Sequence, residues 1–182
     1  MVNNEELVEV RNFTSQRIAY LIPERSVRRD FSAFETKEIT AGELRELWFK
    51  SGGKTLLQHY LGVNNEELAH EFGISKDQYT HEYSWTKKDI DRVLQTGSED
   101  ELADALDYAP LGVMETLINR AVELRISDMN KRKLIKEMTG KDVSKMINYV
   151  EELDLDAPEQ QEKVQRRVKT QENKKKTGRR VG

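Results

Sequence analysis

The chain has 182 residues, 36% hydrophobic and 35% charged, and no cysteine, which excludes disulfides, thiolate metal sites and a cysteine nucleophile together. Its near-neutral total of 30 basic and 33 acidic residues hides a division. From position 163 onward there are nine cations (Lys163, Arg166, Arg167, Lys169, Lys174, Lys175, Lys176, Arg179, Arg180) against Glu172, a net of +8, which leaves 21 basic and 32 acidic residues, a net of −11, for positions 1–162.

No apolar run reaches the ~18 residues that span a bilayer, and the opening residues Met1 to Glu6 have neither the basic nor the apolar region of a signal peptide. The expectation is a soluble protein, intracellular where it is made, with no membrane partner. Leu, Ile, Val and aromatic residues recur through positions 7–155, enough for a folded body with a modest core.

Positions 8–39 have the alternation of strands. Val8 and Val10 alternate with charged residues, Ile18, Tyr20 and Ile22 alternate with Ala19 and Leu21 before Pro23, and a third extended piece runs from Phe31 to Ile39 through Phe34 and Thr36. A small antiparallel sheet is predicted, joined by Asn12 to Gln16 and by Glu24 to Arg29.

Beyond Ile39 the pattern is helical. Thr40-Ala41-Gly42-Glu43 reads as a capping box ahead of Leu44, Leu47 and Trp48, with Ser51-Gly52-Gly53 as the stop. Asn64, Ser75 and Thr86 read as N-caps, each with an apolar residue before it and Glu67, Gln78 or Asp89 three positions on. Ser98 to Glu101 is a further box, Pro110 suits a first helical turn, and Val113, Leu117, Ile118, Ala121, Val122 and Leu124 form a stripe. Asp128 caps a helix with Leu134, Ile135 and Met138 that Gly140 ends, and Val143, Met146, Ile147 and Val150 mark the last core helix. The predicted class is α+β: a small N-terminal antiparallel sheet followed by a bundle of short helices, with a basic C-terminal tail. The expected divisions are 1–40 for the β region, 41–156 for the helical domain in one folding unit with it, and 157–182 for the tail after Ala157-Pro158.

Motifs for chemistry are sparse. His59, His70 and His81 are evenly spaced, but Gly62 and Gly73 interrupt any continuous helix between them, so capping or surface histidines are preferred to a metal site. The carboxylates Asp104 and Asp107, or Glu151, Glu152, Asp154 and Asp156, have the look of solvated helix faces. Gly52-Gly53-Lys54-Thr55 lacks the first glycine of a P-loop and follows a helix pattern where a strand is required. Leu68 to Ser75 resembles the first helix and turn of helix-turn-helix DNA-binding domains, but Tyr79 and Glu82 stand where that family buries aliphatic residues. No enzyme activity, cofactor or metal is expected. The basic tail has no aromatic residue to stack on bases, which suits an indiscriminate grip on phosphate or an acidic protein surface.

The pattern Arg17 to Glu24, then Arg28-Arg29-Asp30-Phe31, Lys37-Glu38-Ile39-Thr40 and Glu43-Leu44, is similar to small virion-associated proteins of tailed bacteriophages over positions 8–150. The resemblance implies a structural role with no active site: an auxiliary or minor component of the head or connector, located in the virion and in the host cytoplasm before assembly, and multi-copy. Its partners would be other virion subunits, with packaged DNA met nonspecifically, or an acidic protein surface, met by the tail. Arg25, Arg28 and Arg29 are the expected assembly contacts in the sheet region, whose strand edges suit pairing with another chain. The alternative is a small helix-turn-helix-like DNA-binding regulator using positions 65–86.

Overall fold

The computed structural model describes residues 2–74 and 85–153. It divides the chain into two compact units, Met1–Val143 and Ser144–Gly182. The described residues form an α+β fold in which four antiparallel strands come first and helices follow, with a fifth short strand among them.

The strands are β1 (Leu7–Asn12), β2 (Ile18–Ile22), β3 (Val27–Phe31), β4 (Thr36–Thr40) and β5 (Leu61–Val63). They make two sheets where one was expected: a three-stranded sheet in the order β4-β1-β5 and the two-stranded pair β2-β3. Both descend from a single long hairpin. Arg11 opposes Thr36 at the end of the first sheet, and Ile18 opposes Phe31 at the start of the second. Residues 12–17 on one arm face residues 32–35 on the other, so the first arm carries two extra residues there and regular pairing stops. A fully buried Asn12 organises the break. Its amide donates to the Gln16 and Ser32 carbonyls at 2.7 and 2.8 Å, and its carbonyl oxygen accepts from the Thr14 backbone and hydroxyl at 2.8 and 2.9 Å. With both ends of the side chain satisfied, an amide can sit in the core without the penalty of an orphaned polar group.

Two sequence readings change here. The third extended piece is not continuous, because Phe34 lies in the turn with a left-handed φ of 58°. Residues 27–29, expected as a connection, belong to β3, and only the 3₁₀ turn Pro23–Arg25 with Ser26 links it to β2. β5 was not foreseen: three residues pair with Val10 to Asn12 and bring the following helices onto the ribbon.

Helices α1 (Ala41–Trp48), α2 (Gly53–His59) and α3 (Glu66–Glu71) pack against the inner face of the ribbon. Val8, Val10, Tyr20, Ile22, Phe31 and Ile39 share one core with Leu44, Leu47, Leu57, Leu68 and Phe72. Trp48 stacks on Phe72 at 5.2 Å between ring centroids. The Thr40 hydroxyl caps α1 by accepting from Glu43 N, but Glu43 does not reach back, so the predicted box is half formed. α3 is capped by Asn65, one residue later than expected, because Asn64 is bound to Glu9 through its backbone and side-chain amides.

The second layer contains α4 (Lys87–Gln95), α5 (Glu99–Tyr108), α6 (Leu111–Glu123) and α7 (Met129–Thr139). A further described helix, α8, runs over residues 143–153 and belongs, apart from Val143, to the second unit. Ile90, Val93 and Leu94 of α4, Leu102 and Leu106 of α5, and Val113, Leu117 and Ala121 of α6 supply its buried residues. Thr86 and Asp89 form a complete capping box on α4. Ser98 caps α5, but Glu101 turns away to Arg92 at 2.6 Å, so this predicted box is also half formed. Pro110 is the N-cap of α6 and lies just outside its first turn, and Gly140 ends α7 in the left-handed region as expected. Lys131, 3% exposed, donates to the Val93 and Leu94 carbonyls and so closes the C-terminal end of α4.

The layers meet where α6 presses on the interrupted ribbon. A Cβ on Gly112 would stand 2.8 Å from the His59 carbonyl oxygen, so the absence of a side chain is what permits that approach. Thr116 Oγ1 accepts from Ser15 N at 3.3 Å across the same contact.

Candidate functional site

The β2-β3 hairpin carries the three arginines singled out from the sequence, and it uses them in different ways. In its register Tyr20 opposes Arg29 and Leu21 opposes Arg28. Because side chains alternate across a strand, Arg29 points inward with Tyr20, and Arg28 points outward with Leu21.

Arg29 reaches the carboxylate of Glu43 on α1 with two parallel bonds, Nε to Oε1 at 2.9 Å and Nη2 to Oε2 at 2.8 Å. The Tyr20 hydroxyl donates to the same Oε1 at 2.6 Å. Burial would raise the Glu43 carboxyl, but the hydrogen bonds from Arg29 and then Tyr20 outweigh it and hold the group below the usual carboxylate range. Burial first, and the hydrogen bond to Glu43 second, push the Tyr20 hydroxyl well above its ordinary value. Arg29 is therefore committed to fastening the hairpin to α1. This is also why Glu43 leaves its capping role half made.

Arg28 and Arg25 stay outside. Arg28, 68% exposed, and Arg17, 69% exposed, share the carboxylate of Asp30 at 3.1 and 2.9 Å. The hydrogen bond from Arg28 is the main cause of the lowered Asp30 pKa. Arg25 meets Glu46 of α1 at 2.6 Å and remains 51% exposed. Beside it Lys50 meets Glu24 at 2.5 Å, so the turn between β2 and β3 is tied to the last turn of α1 and the residues just after it. The outward face of the hairpin thus presents Ala19, Leu21, Arg28 and Asp30, with Arg17 and Arg25 at its ends. Leu21 is 57% exposed.

Among the described residues the remaining sequence candidates do not converge on one place. His59 ends α2 and His70 lies in α3, while His81 is outside the described residues. Among the described residues no group of three His, Asp or Glu side chains is arranged to hold a metal ion. Asp104 and Asp107 lie on the exposed face of α5 and Glu151 and Glu152 on that of α8, whereas Asp154 and Asp156 fall outside the described residues. Of the helix-turn-helix-like segment, α3 is described with Ala69 buried and Gly73 left-handed, and residues 75–84 lie outside. The basic cluster from Lys163 to Arg180 also lies outside the described residues. No described helix is long and apolar enough to cross a membrane.

Tyr20 and Glu43 were missed as a functional pair because they are 23 residues apart and each has an adequate local reading, one as a strand residue and the other as a cap. Comparisons with protein-family models, with curated proteins and with solved structures find no match for this chain.

Proposed function

We propose that this chain is a non-enzymatic structural protein of a tailed bacteriophage, an auxiliary or minor component of the head or connector that docks on other subunits. The observation that carries the reading is the charge division, −11 over residues 1–162 against +8 over residues 163–182. A strongly acidic body resists nonspecific adhesion to nucleic acid, while a basic segment on the same chain attracts phosphate or an acidic protein surface. The hairpin supports it: a locally basic, solvent-facing ribbon anchored to α1 by a half-buried ion pair makes a firm platform for a neighbour. The sequence resemblance to virion-associated phage proteins supplies the setting.

The basic segment is tested by titrating duplex DNA with the full chain at several salt concentrations. Each phosphate contact contributes a slope of about −0.9 in log K against log salt, so five contacts weaken binding roughly 500-fold between 50 and 200 mM. Changing Lys174, Lys175, Lys176, Arg179 and Arg180 to glutamine should remove most of the binding, with no dependence on DNA sequence. Sequence-selective binding that changes on substituting Lys76 or Gln78 would favour the regulator instead.

A further inference from the structure

Among the described residues the ribbon offers four strand edges, and three of them are guarded. β5 has only three residues. β4 carries Lys37 and Glu38 along its length. β3 carries Arg28, Arg29 and Asp30, and the Asp30 carbonyl already accepts from Lys37 Nζ. Short length and charged side chains are the usual devices that keep an edge from pairing with another chain. β2 has neither: Ile18-Ala19-Tyr20-Leu21-Ile22 is uncharged and made largely of good strand formers, and among the described residues its sole strand neighbour is β3.

The edge is also held rigid. Tyr20 and Ile22 are buried beneath it, and the Tyr20 hydroxyl is fixed on Glu43. A preformed edge accepts an added strand without first paying for its own ordering.

Charge selects the occupant. Residues 17–31 contain Arg17, Arg25, Arg28 and Arg29 against Glu24 and Asp30. Around Leu21 one carboxylate, Asp30, is shared by two exposed guanidiniums, which leaves an excess of positive charge beside the apolar side chain. Two copies of this hairpin would repel one another, and an acidic strand is attracted. Glu115 lies near Arg17 in a small recess at the start of β2, so the acidic positions of the added strand belong nearer Arg28 and Arg25.

We infer that β2 is a strand-addition site for an acidic, extended segment of a partner protein, with an apolar side chain of that segment seated on Leu21. The inference deepens the docking function proposed above and rests on it.

The test is fluorescence anisotropy of the full chain with a labelled peptide of alternating glutamate and valine or leucine, joined to amide hydrogen exchange. Saturable binding is expected, with exchange protection gained at residues 18–22. Leu21→Asp should weaken binding about tenfold or more, the loss of one seated aliphatic side chain, and Arg17→Glu with Arg28→Glu by a similar factor. Tyr108→Asp, exposed on α5, should leave it unchanged. Leu21 is already largely in solvent, and Leu21→Ala provides a second variant in which no charge is added. Equal binding of the lysine-for-glutamate peptide, indifference to both Leu21 variants, or protection confined to residues 163–182 would each overturn the inference. Particle composition does not enter this measurement, so its failure is separable from failure of the virion assignment.

Discussion

Replacing Arg29 by methionine is expected to lower the free energy of unfolding by about 3 kcal/mol, whereas the same change at Arg28 should alter it by less than about 0.5 kcal/mol. The two residues are adjacent and chemically identical, so the contrast isolates the direction each side chain takes. Without Arg29, the Glu43 carboxylate stays 3% exposed, with the Tyr20 hydroxyl, the helix terminus and the more distant Arg25 charge left to stabilise it. Breaking a buried pair by removing one partner costs about 3–5 kcal/mol, and the lower end applies because the Arg29 side chain is itself 41% exposed. Arg28 loses only a solvent-screened bond to Asp30. Urea unfolding of the three proteins, with unchanged m-values, checks the prediction; equal effects at the two positions would contradict it.

The same cluster sets a pH dependence. A carboxyl held below its unfolded value contributes stability that is present above about pH 4.3 and is lost as pH falls through the folded value, so Glu43 weakens the fold in acid. A hydroxyl held above its unfolded value contributes stability that is complete below about pH 10 and declines as pH rises beyond it, so Tyr20 weakens the fold in base. Tyr20→Phe should remove the Tyr20 share of the alkaline decline and, because its hydroxyl also helps hold Glu43 down, should weaken the acid dependence without abolishing it, as read by urea unfolding across pH.

The second large effect is expected at Gly53. A Cβ there would lie 1.7 Å from the Leu47 backbone carbonyl oxygen, a distance no side-chain adjustment relieves, so Gly53→Ala must pull the start of α2 away from the end of α1. A loss of about 3 kcal/mol or more is expected. Gly52, one residue earlier, has a left-handed φ of 78° with open space around the site of a Cβ. Gly52→Ala meets only backbone strain, about 1 kcal/mol. Thermal unfolding of the two variants distinguishes them, and a Gly53→Ala protein as stable as Gly52→Ala would show that α1 and α2 do not abut as described.

The alternation at Val8 and Val10, and at Ile18, Tyr20 and Ile22, was legible because strand parity is local and needs no partner. The run Val27-Arg28-Arg29 reads as part of a loop because its charge has no local explanation. The inward guanidinium is neutralised by Glu43, 14 residues away, and that partnership exists only after folding. Phe34 misled in the opposite sense, since an apolar residue in a turn imitates a strand position. β5 was hidden because Val63 also suits the apolar position before an N-cap, and Asn64 reads as that cap although the cap in the fold is its identical neighbour Asn65. Glu9 decided between them by engaging Asn64 from across the sheet. At the candidate site, the three arginines could be found from composition, but which of them faces solvent follows from the register of β2 against β3. The unguarded edge of β2 appears only when the other three edges are seen together.

The central claim, membership of a phage particle, is tested most directly by quantitative mass spectrometry of purified tailed-phage particles that encode this chain. The account predicts the protein in the particle at a fixed, multi-copy ratio to the other head and connector subunits, retained through density-gradient purification. Its absence from intact particles, with the chain recovered only in the soluble fraction of the lysate, would contradict that account.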